Sequence, residues 1–163
     1  MAQCWKVYVK SKKMQNTNKM KTFIVDDDPF SRELYQQHLT NKGFNNISCF
    51  DNGQECINQL IEQPAIIFLD YNMSSLNGLD VLKKIKRFDP DIIIVLVSAQ
   101  EDMQVAVNAL KYGAFDYIIK GENDLQSIDA VINKIDNLFV VLQSEKNKGS
   151  FCQKLFSLFK FKK

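Results

Sequence analysis

The feature that most constrains the fold is a short apolar run that stops abruptly at a carboxylate: residues 66–69 are IIFL, and Asp70 follows. An apolar run of this length, beginning with β-branched residues, is typical of a strand buried on both faces of a sheet. The acid at its end would lie where the sheet meets solvent. Ligands bind along that edge in open α/β sheets, so we expect Asp70 to belong to a functional site.

Further strands and helices alternate along the chain. Segments rich in β-branched or aromatic residues predict strands at 22–25, 47–50, 92–97 and 115–119. Apolar spacings of three and four predict helices at about 28–42, 54–62, 102–112 and 124–144, and another after the turn at 76–78. Five strands alternating with five helices indicate an α/β domain whose parallel sheet is covered on both faces.

Local signals predict several helix ends. Asp28, which precedes a proline, is expected to be the N-cap of the first helix, and Gly43 and Gly113 are expected to be C-terminal caps. Asp28 therefore has a structural role. Asp26 and Asp27 have none, and adjacent acids at a strand end repel each other unless a cation or a donor compensates.

Two helices have predicted faces. In the helix at 54–62, Ile57, Leu60 and Ile61 are expected on one side. The helix after residue 78 carries four basic residues that we expect in solvated positions: Lys83, Lys84, Lys86 and Arg87.

The net charge of +2 conceals an uneven distribution. Residues 20–145 contain all 19 acids but only ten of the 21 Lys and Arg, a net charge of −9, and the other basic residues lie in the two terminal segments. An acidic body is not typical of a nucleic-acid-binding domain.

The cysteines form no CxxC pair and there is one histidine, so no zinc site is expected. Neither a signal peptide nor an apolar run of roughly 20 residues occurs, which favours a cytoplasmic protein.

Polar residues follow the predicted strands. If the strands are parallel, one edge of the sheet carries Asp26 and Asp27, Asp70, Ser98 and Lys120. Oxygen ligands without His or Cys favour a hard cation, and Mg²⁺ commonly binds few carboxylates together with phosphoryl oxygens. A carboxylate can also act as a nucleophile toward phosphorus. The residue types therefore indicate a site for phosphoryl chemistry.

Four segments in this order resemble the receiver domain of response regulators, the CheY-like module of two-component signalling: FIVDDDP at 23–29, IIFLDYNMSSLNGLDVLKKIK at 66–86, VLVSAQ at 95–100 and GAFDYIIK at 113–120. The resemblance implies a flavodoxin-like, doubly wound sheet of five parallel strands in the order 2-1-3-4-5. It also implies that Asp70 accepts a phosphoryl group from a histidine kinase or phosphotransfer protein, a reaction followed by slow autodephosphorylation rather than conventional turnover.

The resemblance further implies a metal site. Asp27 and Asp70 would bind Mg²⁺ directly, together with the backbone carbonyl of Asn72, and Asp26 would act through water. Lys120 and Ser98 would contact the transferred phosphoryl group.

A switch is implied as well, with Ser98 as the hydroxyl and Tyr117 as the aromatic residue that follows it. Phosphorylation would remodel the face of the fourth helix, fifth strand and fifth helix, which would bind a downstream protein or a second copy of the chain. Direct DNA binding is not expected.

Two positions depart from the family pattern. Ser74 stands where proline is frequent, and Gly121 follows Lys120 where a proline, usually cis, is common. The second change removes a conformational constraint beside the site. Asn72 and Gln100 occupy positions that tune dephosphorylation in this family.

Alternative interpretations remain at this stage. Asp70 alone could be a capping or surface residue, Asp26 a solvated turn acid, and Tyr117 a core aromatic. An aspartate-nucleophile phosphatase would be a rival function, although Asn72 stands where such enzymes usually place a second acid. A flavodoxin-like binding module is another rival, although the acids after the first strand would repel a flavin phosphate.

The expected organisation is a flexible basic leader at 1–19, a receiver domain at 20–145 and a basic, aromatic tail at 146–163, which together predict a stand-alone receiver. In the tail, Phe151, Leu155, Leu158 and Phe159 would share one helical face, although Lys162 falls within that sector. The tail could therefore make weak contact with a membrane surface or could be unstructured.

Overall fold

A computed structural model of the protein describes residues 19–74 and 76–159, and their side chains as far as residue 142. The strands are β1 (Thr22–Val25), β2 (Ile47–Phe50), β3 (Ile66–Asp70), β4 (Ile93–Ser98) and β5 (Asp116–Ile119). The helices are α1 (Pro29–Asn41), α2 (Gly53–Asn58), α3 (Gly78–Phe88), α4 (Met103–Lys111) and α5 (Asp124–Phe159), and a 3-10 turn at Gln59–Glu62 follows α2. The chain divides between Ile128 and Asp129 into two units, and the described part of the second is a segment of α5.

The five strands form one parallel sheet in the order β2-β1-β3-β4-β5, which confirms the predicted fold class. The register pairs Val25 with Leu69 and Asp70 with Val97, so the ends of β1, β3 and β4 are level. The strand order reverses between β1 and β3, and a crevice for ligands opens at such a reversal. The sheet therefore brings the residues that follow β1 close to the end of β3.

The hydrophobic core forms around the three central strands. Every residue of β1, β3 and β4 is buried, as expected for strands covered on both faces. Val81, Leu82 and Ile85 of α3 pack in the same cluster, and Phe23 contacts the edge strand through an edge-to-face arrangement with Phe50 at 4.8 Å. These contacts cover one face of the central strands, and the sheet supports the polar residues at its edge.

The predicted caps are confirmed. The Asp28 carboxylate accepts hydrogen bonds from the backbone N–H groups of Phe30 and Ser31 at the start of α1. Gly43 and Gly113 have φ values of 91° and 96°, a left-handed conformation that favours glycine at the end of a helix.

Three predictions about the helices need correction. Ile61 is 81% exposed, because the 3-10 turn after α2 rotates it away from the side that Ile57 and Leu60 share. Lys86 is half-buried rather than solvated, and its ammonium donates to the carbonyls of Pro90 and Ile92 at 3.0 and 2.6 Å. The last helix continues past residue 144, to Phe159.

Residues 1–18, 75 and 160–163 lie outside the described residues, and so does nearly all of the predicted leader. The predicted tail lies partly outside them: the backbone of 146–159 is helical, whereas its side chains are not described. None of the helices in the described ranges is long and apolar enough to cross a membrane.

Candidate functional site

Four polar side chains lie along the carboxyl edge of the sheet, one from each of the four strands β1, β3, β4 and β5. Asp26 directly follows β1, Asp70 ends β3, Ser98 ends β4, and Lys120 directly follows β5. Asp26, Asp70 and Ser98 are only 2%, 3% and 0% exposed. Parallel strands with level ends account for this convergence, which the sequence predicts.

The ladder of backbone hydrogen bonds continues past the strands and holds these residues in register. The Asp26 N–H donates to the Phe50 carbonyl at 3.1 Å, and the Lys120 N–H donates to the Ser98 carbonyl at 2.7 Å. The side chains therefore project from an extended, hydrogen-bonded backbone, which limits how far they can move apart.

Lys120 joins the two buried acids. Its Nζ lies 2.7 Å from Oδ2 of Asp26 and 2.6 Å from Oδ1 of Asp70. Burial alone would lower the pKa of Lys120, but its hydrogen bonds to Asp26 and Asp70 outweigh that effect and raise the pKa. The ammonium is thus held protonated between two carboxylates.

Asp26 has a second set of contacts. Burial raises the pKa of its carboxyl, although Lys120 opposes the shift. Its Oδ1 accepts from the Asp28 N–H at 3.0 Å, and its carbonyl accepts from the Arg32 guanidinium at 2.6 Å. Asp26 is therefore not the solvated turn acid of the alternative interpretation.

Asp27 completes an acidic group. One carboxylate oxygen from each of Asp26, Asp27 and Asp70 lies within 4.8 Å of the other two. Asp27 also accepts a hydrogen bond through Oδ2 from the Ser74 N–H at 2.9 Å, which links the β1 end to the loop after β3. Three converging carboxylates fit a hard divalent cation.

The two predicted switch residues are connected through one backbone segment. Ser98 Oγ accepts from the Gln100 N–H at 3.0 Å, and Tyr117 Oη donates to the Gln100 carbonyl at 2.7 Å. Tyr117 is half-buried, so it is not a fully enclosed core aromatic. The sequence drew attention to the Gln100 side chain, whereas the structure shows contacts of its backbone.

Asn72, in the loop between β3 and α3, is exposed. The Gly78 N–H donates to the Tyr71 carbonyl at 2.9 Å, and a Cβ added at Gly78 would overlap the carbonyl oxygen of Asp70. A glycine is thus required where α3 begins against the end of β3. Sequence analysis identified the turn but not this steric requirement.

Gly121 has the opposite surroundings. A Cβ added there would meet no atom within 4 Å, so the absence of proline leaves open space beside Lys120. An open cleft of about 440 Å³ includes Tyr117, Lys120, Gly121 and Glu122 in its lining.

Another contact near the site could not be anticipated. Tyr35 is buried in α1, and its Oη donates to Oδ2 of Asp124 at 2.8 Å. Burial, together with this hydrogen bond, raises the pKa of Tyr35 far above its usual range. The contact ties α1 to the first residue of α5, four residues after Lys120, and its partners are 89 positions apart in sequence.

Comparisons with known proteins agree with this geometry. The sequence model of the response regulator receiver domain matches residues 22–133. The chemotaxis protein CheY of Thermotoga maritima is 31% identical over 116 residues, which are 71% of this chain and 96% of that protein. The chain spans much less of larger relatives. It covers 45% of the sensory transduction protein LytR of Staphylococcus haemolyticus, which is 35% identical over 71% of this chain. It covers 26% of the transcriptional regulator NtrC of Klebsiella pneumoniae.

Solved structures show the same fold. The CheX–CheY–BeF3–Mg complex of Borrelia burgdorferi matches with a TM-score of 0.66 and 26% identity over 71% of this chain and 89% of that one. A chain from the co-crystal structure of the Saccharomyces cerevisiae histidine phosphotransfer protein Ypd1 and the receiver domain of Ssk1 also matches. Its TM-score is 0.63, and it is 26% identical over 70% of this chain and 86% of that one. Because the family model covers more than half of the sequence and the strand-end residues converge, this chain belongs to the receiver domain family of two-component response regulators.

Proposed function

We propose that this chain is a phosphoryl-accepting switch of a two-component phosphorelay, with Asp70 as the acceptor. The observation that supports this most strongly is the Lys120 ammonium between Asp26 and Asp70, at 2.7 and 2.6 Å, beside the buried Ser98. A nucleophilic carboxylate can accept the phosphoryl group, and a cation and a hydroxyl can stabilise its oxygens after transfer.

In the proposed reaction, a carboxylate oxygen of Asp70 attacks the phosphorus of a phosphohistidine. The new P–O bond forms as the P–N bond breaks, and the imidazole nitrogen of the donor retains the electron pair. Asp70 becomes an acyl phosphate. Lys120 then pairs with a phosphoryl oxygen, and the Ser98 hydroxyl donates a hydrogen bond to another.

The acidic group fits Mg²⁺, because its donor atoms are all oxygens. Asp27 and Asp70 would hold the ion with the carbonyl of Asn72, and Asp26 would contact it through water. When bound, Mg²⁺ supplies positive charge that neutralises the phosphoryl oxygens.

The switch would act through the backbone of Gln100. Ser98 must rotate toward the phosphoryl group, which removes its hydrogen bond to the Gln100 N–H. The backbone at Gln100, whose carbonyl also accepts a hydrogen bond from Tyr117, can then rearrange, and the Tyr117 side chain can turn inward. Phosphorylation would thereby shift the population between two conformations rather than create a new one.

The face that changes is expected to bind a protein target. Met103, Val107 and Leu110 of α4 and Ile119 of β5 are exposed apolar residues next to this segment. Two structural relatives were crystallised with protein partners, namely CheX and a histidine phosphotransfer protein, which supports protein contact as the output. A second copy of the chain is the other occupant we consider for this face.

Phosphotransfer tests the proposal. A histidine phosphotransfer domain carrying a radiolabelled phosphoryl group should transfer the label to the wild-type chain in the presence of Mg²⁺. Asp70→Asn should abolish transfer, whereas Asp80→Asn should retain it, because Asp80 is a solvent-exposed residue of α3 paired with Lys83. Transfer that survives Asp70→Asn would refute the assignment.

The rival function, an aspartate-nucleophile phosphatase, is disfavoured by the residue types at the site. Asn72, two residues after Asp70, has an amide that cannot act as an acid or base. Multiple turnovers of a simple phosphate ester by the wild-type chain would favour this candidate over the switch.

A further inference from the structure

The phosphoryl chemistry proposed above uses none of the residues 146–163. They contain six lysines and no acidic residue, in contrast with the charge of −9 on residues 20–145. Helix α5 continues to Phe159, so the backbone of 146–159 is helical. The segment therefore combines helical structure with a strong positive charge.

Helical geometry sorts the sequence of 149–159 into two faces. At about 100° per residue, all of its apolar residues fall within one arc of about 160°. They are Phe151, Cys152, Leu155, Phe156, Leu158 and Phe159. The opposite arc contains the remaining five: Gly149, Ser150, Gln153, Lys154 and Ser157. The separation between apolar and polar positions is complete over these three turns.

Two lysines lie at the ends of this face. Lys148, just before residues 149–159, falls at an angle inside the apolar arc, and Lys162, which would enter the same sector of a longer helix, lies outside the described residues. The helix described to Phe159 contains the whole apolar arc.

We propose that residues 149–159 form an interfacial helix that binds an anionic lipid surface. The apolar arc would enter the boundary between headgroups and acyl chains, and the long side chains of the lysines at its ends would extend their ammonium groups to the headgroups. Charge supports lipid over an apolar protein groove, because six lysines without a single acid match a uniformly negative surface. The three phenylalanines are also typical of helices that lie in the membrane interface.

Co-sedimentation of the full chain with vesicles tests this proposal. Wild type should sediment with vesicles of phosphatidylcholine and phosphatidylglycerol in equal parts, and binding should weaken as salt is added. Vesicles of phosphatidylcholine alone should retain much less protein, because they lack the negative charge.

A matched pair of double variants isolates the apolar arc. Leu155→Gln with Phe159→Gln should lower the affinity for anionic vesicles at least about tenfold, because two large side chains no longer leave water. Ser150→Gln with Ser157→Gln adds the same groups to the polar arc and should change affinity by no more than about twofold.

Three results would overturn the proposal: no sedimentation of wild type with anionic vesicles, equal binding by the two double variants, or self-association of wild type through this arc in the absence of lipid. Phosphoryl acceptance by Asp70 should be unchanged in both double variants. A failure of lipid binding is therefore distinguishable from a failure of the proposed phosphorelay function.

Discussion

Lys120 lies between two buried carboxylates, and at the scale of single residues its substitution should separate phosphoryl acceptance from switching. In Lys120→Met we expect Asp70 still to accept a phosphoryl group, because the nucleophile and the acidic group remain. The conformational change that follows phosphorylation should be lost, because no ammonium draws the phosphoryl group toward Ser98. Amide hydrogen exchange at residues 98–104, measured before and after phosphorylation, checks this.

Lys111→Met is the matched control for that experiment, since Lys111 is an exposed residue at the end of α4. It should show the wild-type exchange response. A normal exchange response in Lys120→Met would contradict the proposed role of this lysine.

At the scale of secondary-structure elements, Gly78 and Gly121 form a natural pair of tests. In Gly78→Ala the new methyl group would overlap the backbone of Asp70 and Tyr71, so α3 must move away from the end of β3. We expect a loss of about 1–3 kcal/mol in the free energy of unfolding, measured with urea, and slower phosphoryl acceptance. Gly121→Ala should leave stability within about 0.5 kcal/mol, because its methyl group meets open space. Equal losses in the two variants would contradict the steric argument.

The contact between α1 and the start of α5 gives another test at this scale. Tyr35→Phe removes the hydrogen bond to the Asp124 carboxylate and should lower the free energy of unfolding by about 1.5–3 kcal/mol at neutral pH. The raised pKa of Tyr35 means that the contribution is present below about pH 10, the pKa of an unfolded tyrosine, and is lost at higher pH. The stability difference between wild type and Tyr35→Phe should therefore shrink above that pH.

Tyr112→Phe is the control for the buried tyrosine. Tyr112 is 43% exposed and its ring contacts the ammonium of Lys83, an interaction that phenylalanine keeps. We expect a stability change within about 0.5 kcal/mol. If Tyr112→Phe lowered the free energy of unfolding as much as Tyr35→Phe does, the loss would not be specific to the hydrogen bond between Tyr35 and Asp124.

At the scale of the whole molecule, what the sequence predicted depends on how far apart the interacting residues are. The five strands and the caps were predicted because apolar runs and capping residues are local signals. Asp26, Asp70, Ser98 and Lys120 were predicted to meet because each lies at or just after the end of a parallel strand. The strand order itself followed from the family resemblance.

The features that could not be predicted from the sequence have both tertiary and local causes. Tyr35 and Asp124 meet only in the folded domain, where the first residue of α5 reaches α1. Lys86 has the charge of a surface residue, yet it donates to carbonyls in the loop after its own helix. Ile61 fits helical spacing, but the chain changes to a 3-10 turn just before it.

Intact mass measurement after incubation with acetyl phosphate and Mg²⁺ shows whether Asp70 is the phosphoacceptor of this molecule. We expect one added phosphoryl group on wild type and on Asp80→Asn, and none on Asp70→Asn or when a chelator removes Mg²⁺. No adduct on wild type, or an undiminished adduct on Asp70→Asn, would contradict this assignment.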